Sequence, residues 1–196
     1  MNIQVYTSII GTIDDPRKDI KIFSEYNKFV KPVMNAKVYK ILPHKFLNCD
    51  VSIWLDGNIY LKIPPEELVE QWLEDYDMVV FRHPNRDCVF VEAMVARQVP
   101  KVNSDPDAVK SIDEQIKDYK LRNIPENMGL YETGVIVRRH NEQVKRFNEA
   151  WWAEICRYSQ RDQLSFPIVL KEVPLKLKII ESDVRRNEFF TYKGHI

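Results

Sequence analysis

Four stretches of this chain read as strands: the β-branched and aromatic "IQVYTSII" at 3–10, the apolar runs "VSIWL" at 51–55 and "DMVVF" at 77–81, and the strand-like 131–137 of "GLYETGVIVRRH". A strand with one wet face alternates apolar and polar residues, whereas a run that is apolar throughout is buried on both faces. Such strands need helices above and below them, and the intervening segments supply helical patterns. "PPEELVEQWLEDY" opens on prolines, places glutamates early and carries apolar Leu68, Trp72 and Leu73. "VFVEAMVARQ", "PDAVKSIDEQIKDYKLRN" and the amphipathic "NEQVKRFNEAWWAEICRYS" also read as helices. "RDQLSFPIVLKEV" begins another, which Pro167 must enter early or kink. "DDPRKDIKIFSEYNKF" reads as a turn followed by a polar stretch open to a helix. In "NAKVYKILPHKFL" a helix is expected to start near Pro43. "LKIIES" is a last short strand before the tail "EFFTYKGHI". The pattern is α/β, with a mostly parallel central sheet flanked by helices. Its 196 residues, without repeat or linker, are expected to form one domain over 1–196.

Composition removes several function classes. Twenty-nine basic and twenty-nine acidic residues cancel, which argues against broad non-specific nucleic-acid binding but leaves room for a local basic groove. Cys49, Cys88 and Cys156 are odd in number and widely spaced, so neither a disulfide framework nor a zinc site is expected and a reducing compartment fits. "MNIQVYTSIIG" lacks the basic start and long apolar run of a leader, and no run reaches the length of a membrane span. The expected location is the cytoplasm. Neither G-x-x-x-x-G-K-[ST] nor G-x-G-x-x-G is present, so P-loop and dinucleotide-binding chemistry lack their phosphate loops. No serine hydrolase, zinc protease or protein kinase set appears.

In parallel α/β sheets ligands bind beyond the carboxyl ends of strands, and polar residues gather at those positions. "SIWLDGN" at 52–58 drives a buried strand into Asp56, Gly57 and Asn58. An oxygen-rich turn of this kind suits a hard cation such as Mg2+ or Mn2+, and is equally a good turn. With no glycine-rich loop, a diphosphate would rely on a metal and on cations. Lys40, His44, Lys45, Arg82 and Arg86 are the candidates, each of them also compatible with ordinary surface charge. His83, after "MVVF", could ligate metal, touch phosphate or be a capped residue beside Pro84. Glu132 stands close to Gly134, which would let a substrate approach the backbone. Arg161, Asp162 and Gln163 open a helix; Asp162 is either an N-cap or a group facing a sugar, as base or hydroxyl acceptor. Of Trp151 and Trp152, one is expected in the core and the other at the surface.

Taken in order, "VYTSIIGTIDD", "YKILPHKFL", "DVSIWLDGNIYL", "FRHPNRDCVFVEA", "GLYETGVIVRRH", "WW" and "RDQLSF" resemble the glycosyltransferase-like domain of plant Golgi proteins of mucilage and turgor regulation. The resemblance covers about 5–166, and "SIWLDGN", "HPNRDC" and "RDQLSF" are its specific parts. It implies a GT-A-like, Rossmann-like fold that transfers a sugar from a nucleotide-sugar, by default a UDP-sugar, to an acceptor hydroxyl. Asp56 then holds the first position of a D-x-D metal motif, with Asn58 in place of the second carboxylate and His195 completing the shell. Tyr6, Thr7 and Ser8 would hold base and ribose; Arg161, Asp162 and Gln163 would close over the donor sugar, and Glu132 would stand on the acceptor side. Acceptors consistent with the resemblance are a glycan, a small molecule or, less readily, a modified DNA base. A nucleotide-sugar-binding module without catalysis, and a nucleotidyltransferase or phosphohydrolase on a similar fold, are the competing readings. The sequence leaves the oligomeric state open.

Overall fold

The structure is a computed structural model describing residues 1–11 and 17–194. Six strands form the central sheet: β1 (Ile3–Ser8), β2 (Lys21–Phe23), β3 (Val51–Leu55), β5 (Met78–Arg82), β6 (Tyr131–Arg139) and β7 (Leu177–Ile180), in the order β2-β1-β3-β6-β5-β7. β1 pairs in parallel with β2 and β3, and β5 in parallel with β7. β6 alone runs the other way, antiparallel to β3 and β5. Five of the six strands therefore share one direction, in accord with the mixed, mostly parallel sheet expected. The remaining strands, β4 (Ile59–Leu61) and β8 (Phe190–Tyr192), pair antiparallel as a small second sheet.

The continuous apolar runs are explained by two buried faces. Along each strand, successive residues go to opposite sides. Tyr6, Trp54, Val80 and Ile136 join one core cluster, while Val5, Ile53, Val79 and Val137 join another. The first is covered by α1 (Pro32–Ile41) and α6 (Glu142–Arg157), with Phe166 of α7 (Asp162–Glu172) packed on Phe147 and Trp151. The second is covered by α2 (Pro65–Leu73), through Leu68, Val69, Trp72 and Leu73. A third cluster joins α3 (Val89–Gln98), α4 (Pro100–Asn103) and α5 (Pro106–Leu121) to Leu164 and Ile168 of α7. No helix among the described residues is long and apolar enough to cross a membrane.

Two local expectations change. Residues 21–23 are not helical; they form edge strand β2, paired with residues 6–8 of β1. α1 begins at Pro32, whose fixed φ suits the first helical position, and Pro43 lies beyond its end, opening a single 3-10 turn over Pro43–Lys45. Within the tail, Phe190–Tyr192 forms β8, which pairs with β4 directly after the Asp-Gly-Asn turn. Pro167 lies inside α7, where it withholds the helical bond to the Gln163 carbonyl. Trp151 is fully buried, donating its indole N–H to Ser165 Oγ at 3.0 Å, while Trp152 is half-buried against Phe29, as the pairing of one core and one outer tryptophan required.

Candidate functional site

The reversed strand β6 creates the site. β1 and β3 end at one edge of the sheet, with Ser8 and Asp56, and β6 begins there. Its first residues, Glu132, Thr133 and Gly134, thus meet the turn after β3, and the Asp56 amide donates to the Gly134 carbonyl at 2.8 Å. The N-termini of α7 and the side of α1 close the other walls. The resulting cleft has a volume of about 520 Å³, within the ~300–1,000 Å³ of pockets that hold small molecules. Ser8, Lys40, Asp56, Asn58, Glu132, Arg161, Asp162 and Gln163 all line it. So do residues that sequence reading did not single out: Lys37, Trp54, Lys101, Thr133, Arg185 and Tyr192.

At its centre two carboxylates share two ammonium groups. Lys40 Nζ lies 2.8 Å from Asp162 Oδ2 and 3.3 Å from Asp56 Oδ1. Lys37, one helical turn earlier on α1, places its Nζ 2.9 Å from the same Asp162 oxygen. Thr133 Oγ1 adds a donor to Asp162 at 3.1 Å, and Trp54 Nε1 donates to Asp56 Oδ1 at 2.8 Å. Burial alone would raise the Asp162 carboxyl, but Lys37 and Lys40 outweigh it and hold the group well below the usual carboxylate range. Burial likewise pulls Lys40 down, and Asp162 with Asp56 more than restores it. For Lys37 burial prevails and its ammonium is lowered. Asp162 is thus a fixed anion and a poor proton acceptor. Nor is it the expected N-cap: Arg161 occupies that position without a capping side chain, and Asp162 is the first helical residue.

Glu132 has the opposite character. Its side chain is only 8% exposed; Oε1 accepts from Arg185 Nη1 at 2.7 Å, and Oε2 is buried with no hydrogen-bond partner. Burial raises its carboxyl above the ordinary glutamate value, against the pull of Arg185. Glu132 lines the cleft, and a raised carboxyl with one oxygen free of partners is suited to taking a proton. Gly134 lets the strand come close to the turn after β3. A Cβ there would stand 3.1 Å from Ile59 Cδ1 and 3.3 Å from Asp56 Oδ2. Arg161 reaches the cleft from an ion-pair network, donating to Glu92 Oε1 at 3.0 Å and Gln163 Oε1 at 3.3 Å.

Several expected ligands fall elsewhere. Tyr6 is fully buried, its hydroxyl donating to the Tyr39 carbonyl at 3.2 Å; burial pushes its pKa up to about 12, and it cannot meet a nucleotide. Thr7 is also fully buried and points into the protein. His44 and Lys45 face Glu149 on α6, at 3.6 and 3.2 Å, outside the cleft. Arg82 is bound to Glu181 at 2.7 Å. His83 takes the capped alternative: Nδ1 accepts the amides of Asn85 and Arg86, both at 3.2 Å, and burial lowers its pKa. The causes differ: Tyr6 and Thr7 share β1 with the cleft residue Ser8 but are fully buried, whereas His44 and Lys45 lie on the 3-10 turn after α1 and Arg82 and His83 at the end of β5, neither of which lines the cleft. Lys37 carried a legible signal, standing three residues before Lys40 and therefore on the same helical face.

The donors expected for a divalent cation fit it poorly. Asp56 Oδ1 already accepts two hydrogen bonds, one from an ammonium, and Asp162 is saturated by Lys37, Lys40 and Thr133. Asn58 is buried along the cleft, and His195 lies outside the described residues. Among the described residues no three His, Cys, Asp or Glu side chains come together as a metal site.

Residues 17–195 match the family described as TOD1/MUCI70, glycosyltransferase-like domain. Two relatives from Arabidopsis thaliana are similar over 82% of this chain. One, named probable hexosyltransferase MUCI70, is 30% identical over 175 residues, which cover 29% of its own length. The other, named alkaline ceramidase TOD1, is 29% identical over 168 residues, covering 36% of its length. The chain thus spans about a third of the curated relatives it matches. Among solved structures, the bifunctional glycosyltransferase WbbM superposes on 100% of this chain and 46% of its own, with a TM-score of 0.50 at 12% identity, a likeness of fold that agrees with the GT-A-like architecture. Mouse xyloside xylosyltransferase 1 aligns with 74% of this chain and 51% of its own, at a TM-score of 0.42 and 15% identity. With a family profile spanning nearly the whole sequence, the chain belongs to the TOD1/MUCI70 glycosyltransferase-like domain family.

Proposed function

We propose that this domain is a glycosyltransferase that moves a sugar from a nucleotide-sugar to an acceptor hydroxyl, with uridine diphosphate the first nucleotide to test. The observation that carries the reading is the division of labour in the cleft. A pair of lysines is held by fixed carboxylates on one side, and a raised, half-committed carboxyl, Glu132, stands on the other. The lysines suit a diphosphate, whose departure needs positive charge. Glu132 suits the acceptor. Its carboxylate takes the hydroxyl proton as the oxygen attacks the anomeric carbon; the new carbon–oxygen bond forms, the bond to the diphosphate breaks, and the electron pair leaves with the phosphate. Asp162, anchored by two cations, accepts hydrogen bonds from sugar hydroxyls or positions the lysines. The metal-assisted form expected from Asp56, Asn58 and His195 is the version that the described donors serve least well.

The relative named as a ceramidase motivates a second reading, hydrolysis, with water in place of the acceptor at Glu132. A long-chain amide would need an apolar trench, whereas the cleft presents Lys37, Lys40, Arg161 and Arg185. Glu132→Gln separates these roles. It should lower sugar transfer by ~10²–10⁴-fold, the usual worth of a general base, while nucleotide binding survives. Unchanged transfer in the folded variant removes Glu132 from the chemistry; amide cleavage without nucleotide binding selects the second reading.

A further inference from the structure

We propose that Lys40, with Lys37, takes the place of a divalent cation, so that this chain binds the donor diphosphate without metal. The inference rests on the nucleotide-sugar reading above. Lys40 Nζ lies between the two aspartates that a cation would have to use, at 2.8 Å from Asp162 and 3.3 Å from Asp56, with its side chain only 7% exposed. Its backbone is fixed as well: the Lys40 carbonyl accepts from the buried guanidinium of Arg138, whose Nη2 also meets the Tyr6 hydroxyl at 3.3 Å. The ammonium therefore belongs to a built site and not to a wandering surface chain.

A cation at Asp56 would sit against that ammonium. Asp56 Oδ1 is filled by Trp54 Nε1 and Lys40, which leaves Oδ2, beside Gly134, as the one open carboxylate oxygen of the turn. At Asp162, Oδ2 holds Lys37 and Lys40 and Oδ1 accepts the Gln163 amide at 3.2 Å. Two like charges repel across such distances, more strongly in a partly buried cleft than in water.

The wall of the cleft is itself rich in cations. Among the described residues five cationic and three anionic side chains line it, and Glu92 and Asp183 behind the lining pair with Arg161 and Arg185. A nucleoside diphosphate sugar carries one negative charge on each phosphate, which the ammonium groups of Lys37 and Lys40 match in number without a further ion. Since Asp162 has two ammonium partners, it can keep Lys37 while Lys40 turns to the phosphates.

Calorimetric titration of the whole chain with UDP, GDP and ADP, in excess EDTA and in Mn2+, tests this. Expected is binding of at least one nucleotide in EDTA. K40M should weaken it on the order of ten- to a hundredfold, the worth of one charge-assisted contact. D56N, which removes a competing anion from Lys40, should tighten it. D56N also covers the case in which K40M does not fold. Binding that appears only with Mn2+ and is lost in D56N overturns the inference and leaves the donor reading standing. No binding in either medium by the folded wild-type chain overturns both.

Discussion

At Asp162 two ammonium groups meet one carboxylate oxygen inside the protein, and the consequences differ from those of a surface pair. Removing one member of a buried ion group leaves the others uncompensated. Asp162→Asn should therefore cost ~3–5 kcal/mol of unfolding free energy, measured by urea titration at neutral pH. The pH dependence follows from the sign of the shift. The folded carboxyl lies below its unfolded value of ~3.9, so the stabilisation is complete above that value and is lost as pH falls through the folded one. Glu132 behaves inversely, because burial raises it. If it is the base, kcat/KM should fall with acidification through a pH above the ordinary glutamate range, and that acid limb should vanish in Glu132→Gln. Little of this was legible beforehand. Asp56, Glu132 and Asp162 could be found from their neighbours in sequence. That one is a fixed anion and another a raised carboxyl depends on burial and on Lys37, Lys40 and Arg185, which come from α1 and from the loop after β7.

Strand β6 decides which of those side chains meet. Its apolar run announced a buried strand, but direction is not written in periodicity. A parallel strand would have carried Glu132 and Gly134 to the far edge, away from Asp56. Gly134 records the close approach. Gly134→Ala should leave a folded chain, destabilised by ~1–3 kcal/mol from overpacking, since Ile59 can shift by rotating its end. Asp56 must then yield too, so nucleotide affinity, read by calorimetry, should change more than the melting temperature implies; a proportionate or absent change would show that the contact with Asp56 is incidental. The elements read most securely were the fully apolar strands and α2, α5 and α6, each with strong periodicity or caps. β2, β4 and β8 are three residues each, too short to show a period, and exist because longer neighbours offer them an edge.

For the molecule as a whole, the second sheet ties the last described residues to the first motif. Phe190 is 2% exposed, packed on Trp72 and Phe81, and the Lys193 amide donates to the Asn58 carbonyl at 2.9 Å. Phe190→Ala should cost ~3–5 kcal/mol, lowering the melting temperature by ~2–4 °C for each kcal/mol in a chain of this size. A thermal scan that moved less would mean that β8 is dispensable to the core. The α/β class was readable because it depends on many residues at once; the tail's place depends on two phenylalanines, Phe189 and Phe190, and a few backbone bonds. There is a further consequence for the order of events in the cell. A ribosome delivers the Asp-Gly-Asn turn early and its β8 partner late. The central strands can begin to assemble while the chain is still being made, but the wall behind Asn58 waits until β8 has been made. A nascent chain halted before that point would display the lysines and aspartates of the cleft without the strand that closes it.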